Sequence, residues 1–171
     1  MWHRTPVSTE SPIPAEGSVE RRALVKVPGV RSAPVSERRV EAFFYGLYMD
    51  IDVLREAGVA PLAPRKAYVD GFALRIGRRA TLLPSAGARV YGMLYTVTHT
   101  DLERLYTAPG LEQYRPEAVM ARPLEGAPTP ALCYNLREAP APHERNPDYA
   151  TRLQRALGKL AFPPEYVASI S

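Results

Sequence analysis

The sequence predicts an α+β domain: a mostly antiparallel, curled sheet approaching a partial β-barrel, with flanking helices. Two observations carry that fold class. Between Val40 and Arg137, short apolar and β-branched runs alternate with Gly- and Pro-containing turns, so strands outnumber helices and short hairpins join most of them. Helix-start chemistry also recurs, in Thr100-Asp101-Leu102-Glu103 as a capping box and in Asn146-Pro147 as an N-cap followed by an N1 proline.

In chain order, residues 42–45 form an apolar run that reads as a buried strand. The next segment, 50–57, is helix-like, with Asp50 as its N-cap and Asp52 adding negative charge to the first turn. Pro61 and Pro64 interrupt the chain before a strand over 65–76, in which Gly71 marks a bulge or bend. Gly77-Arg78-Arg79 is a turn into a strand at 80–83, and Pro84-Ser85-Ala86-Gly87 is a second turn before a long strand at 89–97. A helix follows to about residue 106, then strands over 113–122 and 130–137. Behind Asn146, the positions Tyr149, Leu153, Ala156, Leu157 and Leu160 make one helical stripe. Pro163-Pro164 ends that helix and leads into a short terminal one at 165–170.

Residues 1–40 differ in kind. They hold five prolines and several serines without a sustained hydrophobic period, apart from a short apolar patch at 23–27. Such a segment buries too little apolar area to offset its ordering entropy, and it is expected to be a flexible leader to a domain over 41–171. Its four glutamates count against a transit peptide.

The net charge of +4 is misleading in the same way, because residues 1–40 carry +3 of it. The rest is nearly neutral and has no basic stripe interleaved with aromatics, so nucleic acid is not the expected partner. No run reaches the roughly 18 apolar residues of a membrane span. The single cysteine, Cys133, lies in the apolar run Ala131-Leu132-Cys133-Tyr134 and reads as a buried, inert thiol; with no signal-like h-region at the N-terminus, a cytoplasmic location is expected. His3, His99 and His143 form no metal-ligand spacing.

Candidate chemistry concentrates at Phe43-Phe44-Tyr45-Gly46-Leu47-Tyr48-Met49-Asp50, where a strand ends in a loop. Gly46 removes the side chain where a ligand would approach the main chain. Further strings follow in order: Val69-Asp70-Gly71-Phe72-Ala73-Leu74, Val90-Tyr91-Gly92-Met93-Leu94-Tyr95, Asp101-Leu102-Glu103-Arg104-Leu105, Tyr114-Arg115 and Asn146-Pro147-Asp148-Tyr149. Their order resembles the gamma-glutamylcyclotransferase-like family, in its gamma-glutamylamine cyclotransferase-like branch, over roughly residues 42–170.

That resemblance implies a small-molecule ligand carrying a γ-glutamyl group, whose α-amine attacks its own γ-carbonyl to release an amine and 5-oxoproline. It implies no metal and no cofactor. It assigns substrate binding to Tyr45, Gly46, Leu47, Tyr48, Met49 and Tyr114, with loop amides holding a carboxylate or developing oxyanion. It also implies a glutamate that takes a proton from the ammonium, since only the neutral amine is nucleophilic. The family's Leu-Asp-x-x-Glu-Gly pattern corresponds here to Leu105-Tyr106-Thr107-Ala108-Pro109-Gly110, so Pro109 or Ala108 stands at the acid's position.

Glu112, three residues on, is the candidate displaced base if the loop turns it inward; its other reading is a solvated loop glutamate. Asp50 is accounted for by its cap, and Glu117 is expected to point away from Tyr114 because their separation along the strand is odd. Arg75, Arg78, Arg79 and Arg89 flank one hairpin and read as a solvated cluster that would favour an acidic ligand. Two functions therefore stand: a γ-glutamyl cyclising enzyme with a displaced acid, or a module that binds a small carboxylate or amide without turnover.

Overall fold

The computed structural model describes residues 38–171. The leader expected over 1–40, with its apolar patch at 23–27, lies outside the described residues except at its end, where Arg39 and Val40 already belong to the first strand.

Five strands close into a barrel in the order β1-β3-β2-β4-β5. They are β1 (Arg39–Phe44), β2 (Leu62–Ile76), β3 (Ala80–Thr98), β4 (Tyr114–Pro123) and β5 (Thr129–Leu136). Every neighbouring pair is antiparallel except β1 with β5, which meet in parallel at Ala42 and Leu132 and close the ring. The helices are α1 (Ile51–Glu56), α2 (His99–Thr107), α3 (Pro147–Lys159) and α4 (Pro164–Ser169). Phe43, Val69, Val90, Leu94, Val97 and Cys133 are fully buried in the core, together with Leu102 of α2 and Leu153 and Leu157 of α3. Among the described residues no helix is long and apolar enough to cross a membrane.

Two expectations are corrected. The segment read as a turn at 84–87 is an excursion within one strand. Phe72 pairs with Pro84 and Asp70 with Arg89, so residues 85–88 loop out opposite Gly71 alone. The positive φ of Gly71 (83°) and Gly87 (76°) lets both strands bend at this bulge and resume pairing. The second correction concerns the α2 cap. The side chain of Thr98, not Thr100, accepts the N–H of Asp101 at 3.1 Å, and the helix begins at His99.

The other caps are as expected. Asp50 Oδ1 accepts from Asp52 N at 3.0 Å, and Asn146 Oδ1 accepts from Tyr149 N at 3.0 Å.

Hydrogen bonds across the barrel fix one end of it. Leu82 N donates to Asn135 Oδ1 at 3.2 Å and Leu136 N donates to Thr81 Oγ1 at 3.0 Å, which satisfies two buried polar side chains. At the same end Arg75 donates to the carbonyls of Ala141, Pro142 and Glu144 at 2.9–3.0 Å, and Asn146 Nδ2 donates to Arg78 O at 3.0 Å. The β2–β3 turn thereby holds the loop that aims α3 back across the barrel mouth.

Candidate active site

At that mouth lies a cavity of about 250 Å³. The chain leaving β1 supplies one wall: Phe44, Tyr45, Gly46, Leu47 and Tyr48, with Val53 of α1 behind. The opposite wall consists of Tyr106 from the end of α2, Leu111, Tyr114 and Tyr134. Arg79 and Ala80 enter from the β2–β3 turn, and Tyr149 and Arg152 from α3.

The first wall is a single 3-10 turn at Leu47–Met49. Met49 N donates to Gly46 O at 2.9 Å and Asp50 N to Leu47 O at 3.2 Å. Leu47 N donates to the Tyr149 hydroxyl at 3.3 Å, which ties the turn to α3. A Cβ on Gly46 would sit 2.6 Å from that hydroxyl oxygen, so glycine is required by the close approach of Tyr149 rather than by backbone conformation. The amides of Gly46 and Tyr48 take no part in these pairings.

Tyr45 is buried, and its hydroxyl lies 2.5 Å from Tyr134 O and 2.9 Å from Asn135 Oδ1. Met49, expected to bind substrate, does not line the cavity. The 3-10 turn rotates it into the core, where it is fully buried and its carbonyl accepts the Tyr95 hydroxyl at 2.9 Å.

The second wall is shaped by a β-turn. Leu111 N donates to Ala108 O at 3.0 Å, with Pro109 and Gly110 (φ 84°) between them. Proline followed by a positive-φ glycine is the sequence of a type II turn. The turn brings Leu111 to the cavity, while Ala108 and Pro109 do not line it. A Cβ on Gly110 would run into the Arg79 guanidinium, so the same glycine lets that arginine pack close. Tyr114 lines the cavity, and its hydroxyl donates to Ala80 O at 2.6 Å. Tyr106 stacks on Tyr134 with ring centroids 3.7 Å apart and planes nearly parallel at 4°.

The candidate base is misplaced by the sequence reading. Glu112 is exposed and lies in grooves outside the cavity. The type II turn sends Leu111 inward and leaves Glu112 on the outer face. There, hydrogen bonds from the backbone amides of Gly110 and of Glu112 itself hold its carboxyl below the usual range. Glu117 is exposed, but it does not merely face solvent: Asn135 Nδ2 donates to its Oε2 at 2.6 Å, placing it behind Tyr45 and outside the cavity lining.

Among the described residues no aspartate or glutamate lines the cavity. Six tyrosines do, and burial raises the pKa of each phenol: Tyr45, Tyr48, Tyr106, Tyr114, Tyr134 and Tyr149. At neutral pH they are uncharged hydroxyls able to donate hydrogen bonds, and none is a ready proton acceptor of the carboxylate kind.

The arginines read as one cluster separate in the fold. Arg75 clamps a loop, Arg89 binds Asp70 Oδ1 at 2.8 Å and lies over the Tyr68 ring, and only Arg79 reaches the cavity. Tyr106, Tyr149 and Arg152 are cavity residues that sequence reasoning did not select, and Arg79 was weighed only as one of a solvated cluster. Tyr149 carried a signal, since it follows an N-cap by three residues, but a helical stripe position reads first as core.

A family profile described as gamma-glutamyl cyclotransferase, AIG2-like, matches residues 42–152. Among solved structures, a gamma-glutamyl cyclotransferase superposes with a TM-score of 0.63 at 18% identity, covering 78% of this chain and 89% of the other. YkqA from Bacillus subtilis gives 0.63 at 24% identity, over 78% of this chain and 53% of its own. The protein loc79017 from Homo sapiens gives 0.62 at 20% identity, over 79% and 89%. At these identities the superpositions establish the fold. A search of curated proteins gives no match. By the extent of the profile match, which takes in the strand-to-loop string at the cavity and the first residues of α3, this chain belongs to the gamma-glutamyl cyclotransferase, AIG2-like family.

Proposed function

We propose that this chain uses the family's cavity to bind a small carboxylate- or amide-bearing ligand, and that it releases little or no 5-oxoproline from γ-glutamyl compounds. The observation that supports this reading is the absence of any carboxylate from the cavity lining. Cyclisation requires that a γ-glutamyl α-ammonium lose a proton before its nitrogen attacks the γ-carbonyl. A positioned general base typically contributes about 10²–10⁴-fold to such a step and must come within about 3 Å of the proton it takes. Six neutral phenols and two guanidiniums offer no such group. A cyclising enzyme with Glu112 as its base is the weaker reading, because Glu112 lies outside the cavity and is held as a stable carboxylate.

What remains suits binding. The phenols of Tyr48, Tyr106, Tyr134 and Tyr149 can donate to an oxygen, those of Tyr45 and Tyr114 being spent on the protein; the loop amides of Gly46 and Tyr48 sit at one wall, and apolar ring faces exclude water. We place this activity in the cytoplasm, on the strength of a single cysteine that is buried and free. The test is a 5-oxoproline release assay on γ-glutamyl dipeptides alongside calorimetry on the same samples. The expected result is heat of binding for small carboxylates with no release above the buffer control. Robust turnover by the native chain would overturn the proposal.

A further inference from the structure

The cavity's charge pattern narrows its ligand further, on the premise that it is a binding site as proposed above. Arg79 is half-buried in the wall, and among the described residues its guanidinium makes no hydrogen bond and no close ion pair, although the Glu112 carboxylate on the outer face lies near enough to feel its charge. Arginine has five donors and stays charged, so a half-buried guanidinium with no hydrogen-bond partner can take an anion on its cavity side. The missing side chain of Gly110 leaves the room that this guanidinium occupies beside the cavity. Burial raises the phenols of Tyr48, Tyr114 and Tyr149, and the charge of Arg79, which lines the same cavity, partly counters this in each. Arg152 adds a second positive charge at the exposed rim. Among the described residues no Glu or Asp lines the cavity itself; Glu112 acts on Arg79 only from the outer face.

A γ-glutamyl compound brings both a carboxylate and an α-ammonium. In a cavity of about 250 Å³ that ammonium would be desolvated close to two guanidiniums, with no carboxylate to pair it. Tyrosine faces attract cations, but that attraction falls short of the cost of a buried, unpaired charge beside like charges.

We propose that the cavity's ligand is a small carboxylate lacking an ammonium group, its carboxylate held by Arg79 with Arg152 at the rim. A deaminated or N-acylated relative of a γ-glutamyl amide, or a lactam acid, has this chemistry.

A matched pair tests it: γ-glutamyl methylamide and N-methylglutaramate, which differ only in the α-ammonium. Titrated calorimetrically into the full chain, N-methylglutaramate is expected to bind at least about tenfold more tightly, and Arg79→Gln to remove at least about tenfold of that affinity. Arg79→Lys should recover part of it, and thermal melts should show all variants folded. Equal or tighter binding of γ-glutamyl methylamide without turnover overturns this inference and leaves the binding function intact. Binding of neither compound overturns both. Undiminished affinity in a folded Arg79→Gln overturns the role given to Arg79.

Discussion

The two walls of the cavity are built by opposite means. The wall from Tyr45 to Tyr48 is a backbone structure: a 3-10 turn closed by its own amides, pinned to α3 through Tyr149, and crowded enough that Gly46 leaves no space for a Cβ. The wall from Tyr106 to Tyr134 is a side-chain structure: a stacked ring pair and Leu111, placed by a proline-glycine turn. A wall made of backbone keeps its shape under most substitutions, because its hydrogen bonds do not depend on side-chain identity. A wall made of side chains changes chemistry with each replacement. The family fold can therefore persist while the chemistry of the second wall varies.

The comparison can be broken most severely at Gly92. A Cβ there would strike the Phe44 carbonyl oxygen and stand 2.9 Å from the Phe43 ring, so β1, from which the first wall hangs, must shift. Gly92→Ala is expected to cost about 3 kcal/mol or more in denaturant unfolding. An unchanged midpoint would show that β1 can slide, and the backbone wall would not be rigid. A smaller effect is expected from Tyr45→Phe, which removes a buried hydroxyl from the Tyr134 carbonyl and Asn135: about 1–2 kcal/mol by the same measurement. A neutral result would mean that the hydroxyl serves the ligand rather than the fold. The smallest effect belongs to the side-chain wall's outer face. Glu112→Gln should lower neither ligand affinity nor melting temperature measurably, since its exposed carboxylate bonds only local backbone and otherwise only offsets the charge of Arg79. A drop in affinity would place Glu112 at the ligand after all.

The fold was legible because its signals are local. Asn146 before Pro147 starts α3, Gly71 marks the bulge, and the strand runs are bounded by turn residues. The 84–87 segment was misread because a bulge and a hairpin turn share the same residues, Pro, Ser and Gly; only the continued pairing with β2 on both sides tells them apart. The site was half legible. Tyr45, Gly46, Leu47, Tyr48 and Tyr114 lie in the cavity, and the strand-to-loop string carried them. Met49 was lost to a rotation of one residue within the 3-10 turn, a detail below the resolution of sequence pattern. Glu112 was lost because sequence distance was taken for spatial reach across a tight turn. Arg79 and Arg152 escaped because exposed-looking arginines carry no period or spacing that separates a wall residue from a solvated one.

The bond from Leu47 N to the Tyr149 hydroxyl also sets an order of events during synthesis. Its two residues are separated by 102 positions, and the ring of strands itself closes only when residue 132 meets residue 42. A ribosome therefore completes every strand before the loop beyond β1 acquires its fastening. Contacts this distant in sequence carry the largest closure entropy and form late. An emerging chain would present a nearly finished barrel with an unfinished seat, and the ligand could engage only once the third helix has docked.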